Sequence, residues 1–96
     1  TVELEDFFMK CLGKIYDHDH LQGTSYIHTL ESYFNNNHNL SETSKAMFIH
    51  RNTLIYRIEK IKEILNTDLK NSEEVLQIQL ALKIYRLLNR GSTVES

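Results

Sequence analysis

No proline interrupts the 96 residues of this chain, and apolar residues return at every third or fourth position along most of it. Proline removes a backbone donor and breaks helices, so its absence leaves every segment free to be helical. Strand-like alternation is missing. The expectation is an all-α domain of about five helices, a single unit over residues 1–96. Hydrophobic residues make up 41% of the chain, enough for a core. No apolar run reaches the roughly 20 residues needed to span a bilayer, and the acidic N-terminus lacks a small-residue cleavage site for secretion. Cys11 is the only cysteine. It forms no intrachain disulfide, suits a reducing cytoplasmic setting, and on an apolar helix face reads as a small buried hydrophobe. The chain opens at Thr1 without an initiator methionine, and the expectation is a segment of a longer protein.

The spacing predicts a first helix over residues 2–16, with Leu4, Phe7, Phe8, Cys11, Leu12 and Ile15 on one broad face. Gly13 weakens it by about 1 kcal/mol relative to alanine. Residues 17–23 are polar and read as a loop. Thr24 or Ser25 can cap a second helix whose stripe is Ile27, Leu30 and Phe34, flanked by Tyr26 and Tyr33. The cluster "NNNHN" ends it, because asparagine tolerates left-handed and turn conformations. Ser41 reads as the N-cap of a short third helix ending near Phe48. A fourth helix spans residues 51–65 on the stripe Leu54, Ile58, Ile61 and Leu65. Residues 67–70 connect it to a last helix, where Asn71 and Glu74 have capping-box spacing. That helix is apolar on more than one side, with Leu76, Leu80, Ile84 and Leu87 as well as Val75, Ile78, Leu82 and Tyr85. Such a helix is either central or shared with a partner subunit. The tail from Gly91 is expected to fray.

A short helix, a tight turn and a longer helix make a helix-turn-helix, here over residues 41–65. Ser44 and Met47 are placed inward, Ile49 closes the turn, and Leu54 and Ile58 lock the second helix. Phe48 stands where such turns often carry glycine. Turning the fourth helix by about 100° per residue with Leu54 facing the core sends Asn52, Thr53, Tyr56 and Lys60 outward. Arg57 lies on the shoulder, and His50 and Arg51 lie at the N-terminal end, which enters the major groove in helix-turn-helix proteins. Arginine can bridge guanine O6 and N7, and asparagine can bridge adenine N6 and N7. Threonine and Tyr56 offer hydroxyls, and free amides at a helix start favour phosphate. Charge is distributed to match. The net charge is −2, yet residues 41–66 hold Lys45, Arg51, Arg57, Lys60 and Lys62 against Glu42, Glu59 and Glu63, a local excess of two positive charges. That is an electrostatic footprint on an otherwise acidic chain. A plain helical bundle with a solvated polar face stays open on spacing alone.

The string "HRNTLIYRI", residues 50–58, with "LALKI" in the last helix and "TLESYFNNNHNLSETSKAMFIHRNTL" before, resembles the C-terminal helix-turn-helix of the PucR/CdaR family of bacterial transcriptional regulators. The resemblance covers residues 26–88. The same segment is more distantly similar to the factor for inversion stimulation, a Fis-like helix-turn-helix. Ser44 replaces the alanine common in the family but is small enough to keep the helix crossing. The resemblance implies an output domain for double-stranded DNA, usually dimeric and placed behind a sensory region that this chain lacks. It marks His50, Arg51, Asn52, Thr53, Tyr56 and Arg57 as positions to test. Lys45 and Lys60 join them as candidate phosphate contacts.

Other chemistry is weaker. "DHDH", residues 17–20, has metal-ligand residue types, but alternating positions in a loop make no shaped site. His28 on the second helix lacks the neighbouring lysine that a phosphotransfer histidine needs. There is no glycine-rich phosphate loop and no persuasive catalytic constellation. A non-enzyme without metal, cofactor or membrane partner is expected. The alternative function is a helical oligomerisation module that does not bind DNA.

Overall fold

A computed structural model describes the backbone of residues 1–95 and the side chains of residues 1–89. Five helices follow one another: α1 (Val2–Gln22), α2 (Tyr26–Asn35), α3 (Leu40–Met47), α4 (Arg51–Leu65) and α5 (Ser72–Glu95). α1, α2 and α4 touch one another and form the centre. Among the described residues, the backbone of α3 packs closely on α2 and α4, and that of α5 on α1 and α2. The helix-turn-helix and the last helix therefore occupy different sides of the domain. Leu12, Ile15, Leu30, Leu54, Ile58 and Ile61 are fully buried where the three central helices meet. Among the described residues, no helix is long and apolar enough to cross a membrane.

Residues 17–22, expected as a loop, are the last turns of α1. Their polar side chains do not stop the helix because two of them find partners beyond it. Asp19 Oδ1 accepts the Tyr26 amide at 2.8 Å and its Oδ2 accepts the Ile27 amide at 3.0 Å. The Thr24 hydroxyl donates to the same carboxylate. Asp19 is thus an N-cap supplied to α2 by α1, while Ser25, at the cap position itself, makes no side-chain cap bond. His18 stacks on Tyr26 with ring centroids 4.8 Å apart. Gly23, left-handed at φ 69°, closes α1. Among the described residues, no group of three potential metal ligands comes together, and this carboxylate already accepts three donors. Replacing Asp19 by alanine should destabilise the domain by about 1–2 kcal/mol, with asparagine recovering part of the loss. Thermal unfolding of the two variants measures it, and equal melting of the alanine variant and the unaltered chain would refute the cap.

Two further boundaries differ from expectation. The N-cap of α3 is Asn39, not Ser41; its side-chain oxygen accepts the Glu42 amide at 2.8 Å. α5 continues as helix through the expected tail to Glu95, and Ser96 lies outside the described residues. The turns use left-handed residues where the asparagine cluster predicts them, at Asn37 and also at His38. Leu69 adopts φ 59° and is buried, so the α4–α5 connection inserts a plug into the core. Asn71 accepts the Glu74 amide at 2.9 Å. The return half of that capping box is replaced by the Thr67 hydroxyl donating to Glu74.

α5 packs into the core along one side only. Ile78, Ala81, Leu82 and Ile84 are buried, whereas Leu76, Leu80 and Leu87 are each more than half exposed along the opposite side. A bidentate Arg86–Glu31 pair ties α5 to α2. Cys11 is half-buried, and burial pushes its thiol up from the ordinary range.

Candidate nucleic-acid interface

α3 and α4 cross closely because the facing surface of α3 is small. Thr43 and Ser44 are buried, and their hydroxyls donate back along their own helix, to Asn39 O at 2.7 Å and to Ser41 O at 2.9 Å. The crossing thus buries no unsatisfied hydroxyl, which would otherwise oppose it. Met47 and Ile49 are half-buried against the core. Ser44, Met47 and Ile49 take the inward places predicted for them, and Thr43 joins them beyond what the spacing predicts. A threonine inside a helix whose hydroxyl can return to the carbonyl four residues back is the signal that could have found it.

The turn is made by Phe48 in the left-handed region, at φ 57° and ψ 43°. The Phe48 amide donates to Lys45 O and the Ile49 amide to Ser44 O. His50 is extended and starts α4 without a side-chain cap bond. The other four helices differ: Thr1, Asp19, Asn39 and Asn71 each accept an amide at a helix start. The first-turn amides of α4 therefore have no capping oxygen from a side chain. Together with the helix dipole, they favour an anion at that end.

Leu54, Ile58 and Ile61 face the core, with Leu65 half-buried. Arg51, Asn52 and Thr53 are exposed, as is His50 before them. Tyr56 is 60% exposed. Arg57 and Lys60 are half-buried on the flanks, and Lys45 is exposed on α3. All eight candidate residues thus lie on α3, on α4 or at the start of α4, and none is sealed inside. The rotation of α4 is the one its periodicity predicts. Glu59 and Glu63 are also exposed, one and two turns nearer the C-terminus.

The cations differ in how committed they are. Lys62 pairs with Glu59 at 3.2 Å, and Lys60 approaches Glu63 at 3.9 Å on the surface. Lys60 also lies over the Tyr56 ring, 5.8 Å from its centroid. Lys45, Arg51 and Arg57 form no ion pair among the described residues. Beneath this face, burial pushes the Tyr26 phenol up from its ordinary range. Tyr56 adds to that shift, while Lys60 and Arg57 oppose it. Tyr26 is therefore a neutral buried group behind α4, capped on its other side by His18.

Comparison with known proteins adds an independent line. The model of the PucR C-terminal helix-turn-helix domain matches residues 26–84. The chain is 36% identical over 87 residues to a purine catabolism regulatory protein of Bacillus subtilis (strain 168), an overlap that takes in 91% of the chain and 16% of the relative. It is 45% identical over 56 residues to a carbohydrate diacid regulator of Escherichia coli (strain K12), 58% of the chain and 14% of the relative. It is 32% identical over 84 residues to a proline-responsive transcriptional activator, PutR, of Bacillus subtilis (strain 168), 88% of the chain and 20% of the relative. The chain thus spans a fifth or less of the length of these curated relatives. No solved structure matches it at a significant level. The matched segment contains the α3–turn–α4 unit whole, and on it the chain belongs to the family of PucR C-terminal helix-turn-helix domains.

Proposed function

We propose that this chain is the sequence-specific DNA-binding output domain of a longer bacterial transcriptional regulator, with α4 as the helix that enters the major groove. The observation that carries the reading is the N-terminal half of α4. It presents arginine, asparagine and threonine to solvent from a helix start without a side-chain cap, on a helix-turn-helix braced from behind. Arg51, Asn52 and Thr53 read base edges. Lys45, Arg57 and Lys60 contact phosphates and supply the salt-dependent part of the affinity. His50 and Tyr56 add hydrogen bonds at the backbone. The domain is not an enzyme; it works in the cytoplasm and receives its signal from regions outside this chain. Selection of bound duplexes from a random pool, at two salt concentrations, tests the reading. A common sequence should emerge, with affinity falling steeply as salt rises. Recovery of no duplex by a folded domain would overturn it.

The domain acts as a symmetric dimer. Support comes from the exposed row Leu76, Leu80 and Leu87 on α5, which a second copy of the same row would cover. Among the described residues, α5 packs its backbone closely on α1 and α2 and not on α3 or α4, so pairing there leaves the DNA face open. The extents of the domain, 37 × 32 × 25 Å, are compatible with two recognition helices about 34 Å apart on inverted half-sites. Changing Leu80 and Leu87 together to glutamate should give a monomer in sedimentation. Affinity for a two-half-site duplex should drop about 100-fold, while single half-site binding should stay unchanged. A persistent dimer would refute the contact. The same row supports the second reading, an oligomerisation module alone, which predicts dimers without salt-dependent affinity for duplex DNA.

A further inference from the structure

Phe48 is 94% exposed, more than any other large hydrophobic side chain among the described residues. It also sits at φ 57°, a region that favours glycine because other residues crowd their own Cβ there. Glycine at this place would remove both penalties. Met47 before it and Ile49 after it pack against the core, so the turn is anchored on both sides and the ring is held outward between the anchors. It makes no contact with another aromatic ring among the described residues. The ring stands three residues ahead of Arg51, at the same end of α4 that carries His50, Asn52 and Thr53.

We propose that Phe48 is a DNA contact and sets a preference for thymine at the edge of the half-site. The proposal rests on the DNA-binding reading above and adds an apolar contact to its polar ones. A duplex offers few apolar groups beside a recognition helix: the C5 methyl of thymine in the major groove and the C–H edges of the neighbouring sugar. Phosphate contacts leave both untouched. An aromatic ring fixed at the entrance of α4 can cover the methyl and lose its own exposure in doing so, which no cation on this face can do.

The test uses the duplex selected by the unaltered chain, with Phe48→Gly and Phe48→Asn, two residues that tolerate the left-handed backbone. Both variants should melt no lower than the unaltered chain. Both should bind the duplex about ten-fold more weakly, the loss expected when about half of a phenylalanine side chain is no longer buried. The slope of affinity against salt should not change, since no charge is removed. Replacing the thymines one at a time by deoxyuridine should reproduce the loss at one position for the unaltered chain and have little effect on the variants. If the variants lose affinity but no deoxyuridine matters, the ring contacts the sugar instead, and the thymine preference is overturned. If both variants bind as tightly as the unaltered chain, the DNA contact itself is overturned and the ring is left for a protein partner. If the folded, unaltered chain selects no duplex, the DNA-binding reading falls first and this contact with it.

Discussion

Replacing Leu54 by alanine should destabilise the domain by about 2–5 kcal/mol and lower its melting temperature by roughly 10 °C or more. Leu54 is fully buried and lies one turn into α4, where that helix meets the centre of the domain. The lost transfer energy is joined by the cavity left behind, because α1 and α2 hold α4 and limit its collapse. Total stabilities of 5–15 kcal/mol are typical, so the loss is a large fraction of what holds the fold. Denaturant or thermal unfolding measures it. The same change should weaken DNA binding only in proportion to the unfolded fraction. A melting curve identical to that of the unaltered chain would mean that α4 is rotated differently from the structure described above.

Arg51→Ala should have the opposite profile. Arg51 is exposed and forms no ion pair among the described residues, so its removal should shift stability by no more than about 0.5 kcal/mol. Affinity for the selected duplex should fall by about 1–3 kcal/mol, roughly 5- to 150-fold, and preference should relax at one base position. A phosphate contact would instead weaken all sequences alike and lower the salt slope. Repeating the duplex selection with the variant separates the two. A profile identical to that of the unaltered chain would remove Arg51 from the base-reading set and leave Asn52 and Thr53 to carry it. The pair of variants, one unstable but correct in sequence preference and one stable but relaxed, tests the two faces of a single helix.

Much of α4 is legible in the sequence. Leu54, Ile58 and Ile61 recur at helical spacing, and that spacing alone orients Asn52, Thr53 and Tyr56 to solvent. The signal is local, since a helix bonds its own backbone within four residues. The end of α1 is not legible there, for the complementary reason. Residues 17–22 are polar, and nothing within that stretch says that Asp19 will find the amides of Tyr26 and Ile27. Those bonds exist only once α2 has turned back beside α1. The α3 cap was a local choice instead: Asn39, three residues before Glu42, places its side-chain oxygen on that amide, and asparagine caps a helix as well as serine does. Phe48 was visible as an apolar residue in a glycine position, but its exposure depends on where Met47 and Ile49 anchor.

The chain by itself determined its all-helical class, the limits of α4 and which edge of α4 meets water. Each follows from side-chain spacing and backbone bonding over a few residues. Only the tertiary structure decided which side of α5 is buried and that a leucine row on its other side stays uncovered, that Asp19 serves a helix other than its own, and that the turn holds a phenylalanine ring away from the core. Those outcomes depend on partners distant along the chain, and no local pattern specifies which of two apolar faces, or which of several polar groups, will be met.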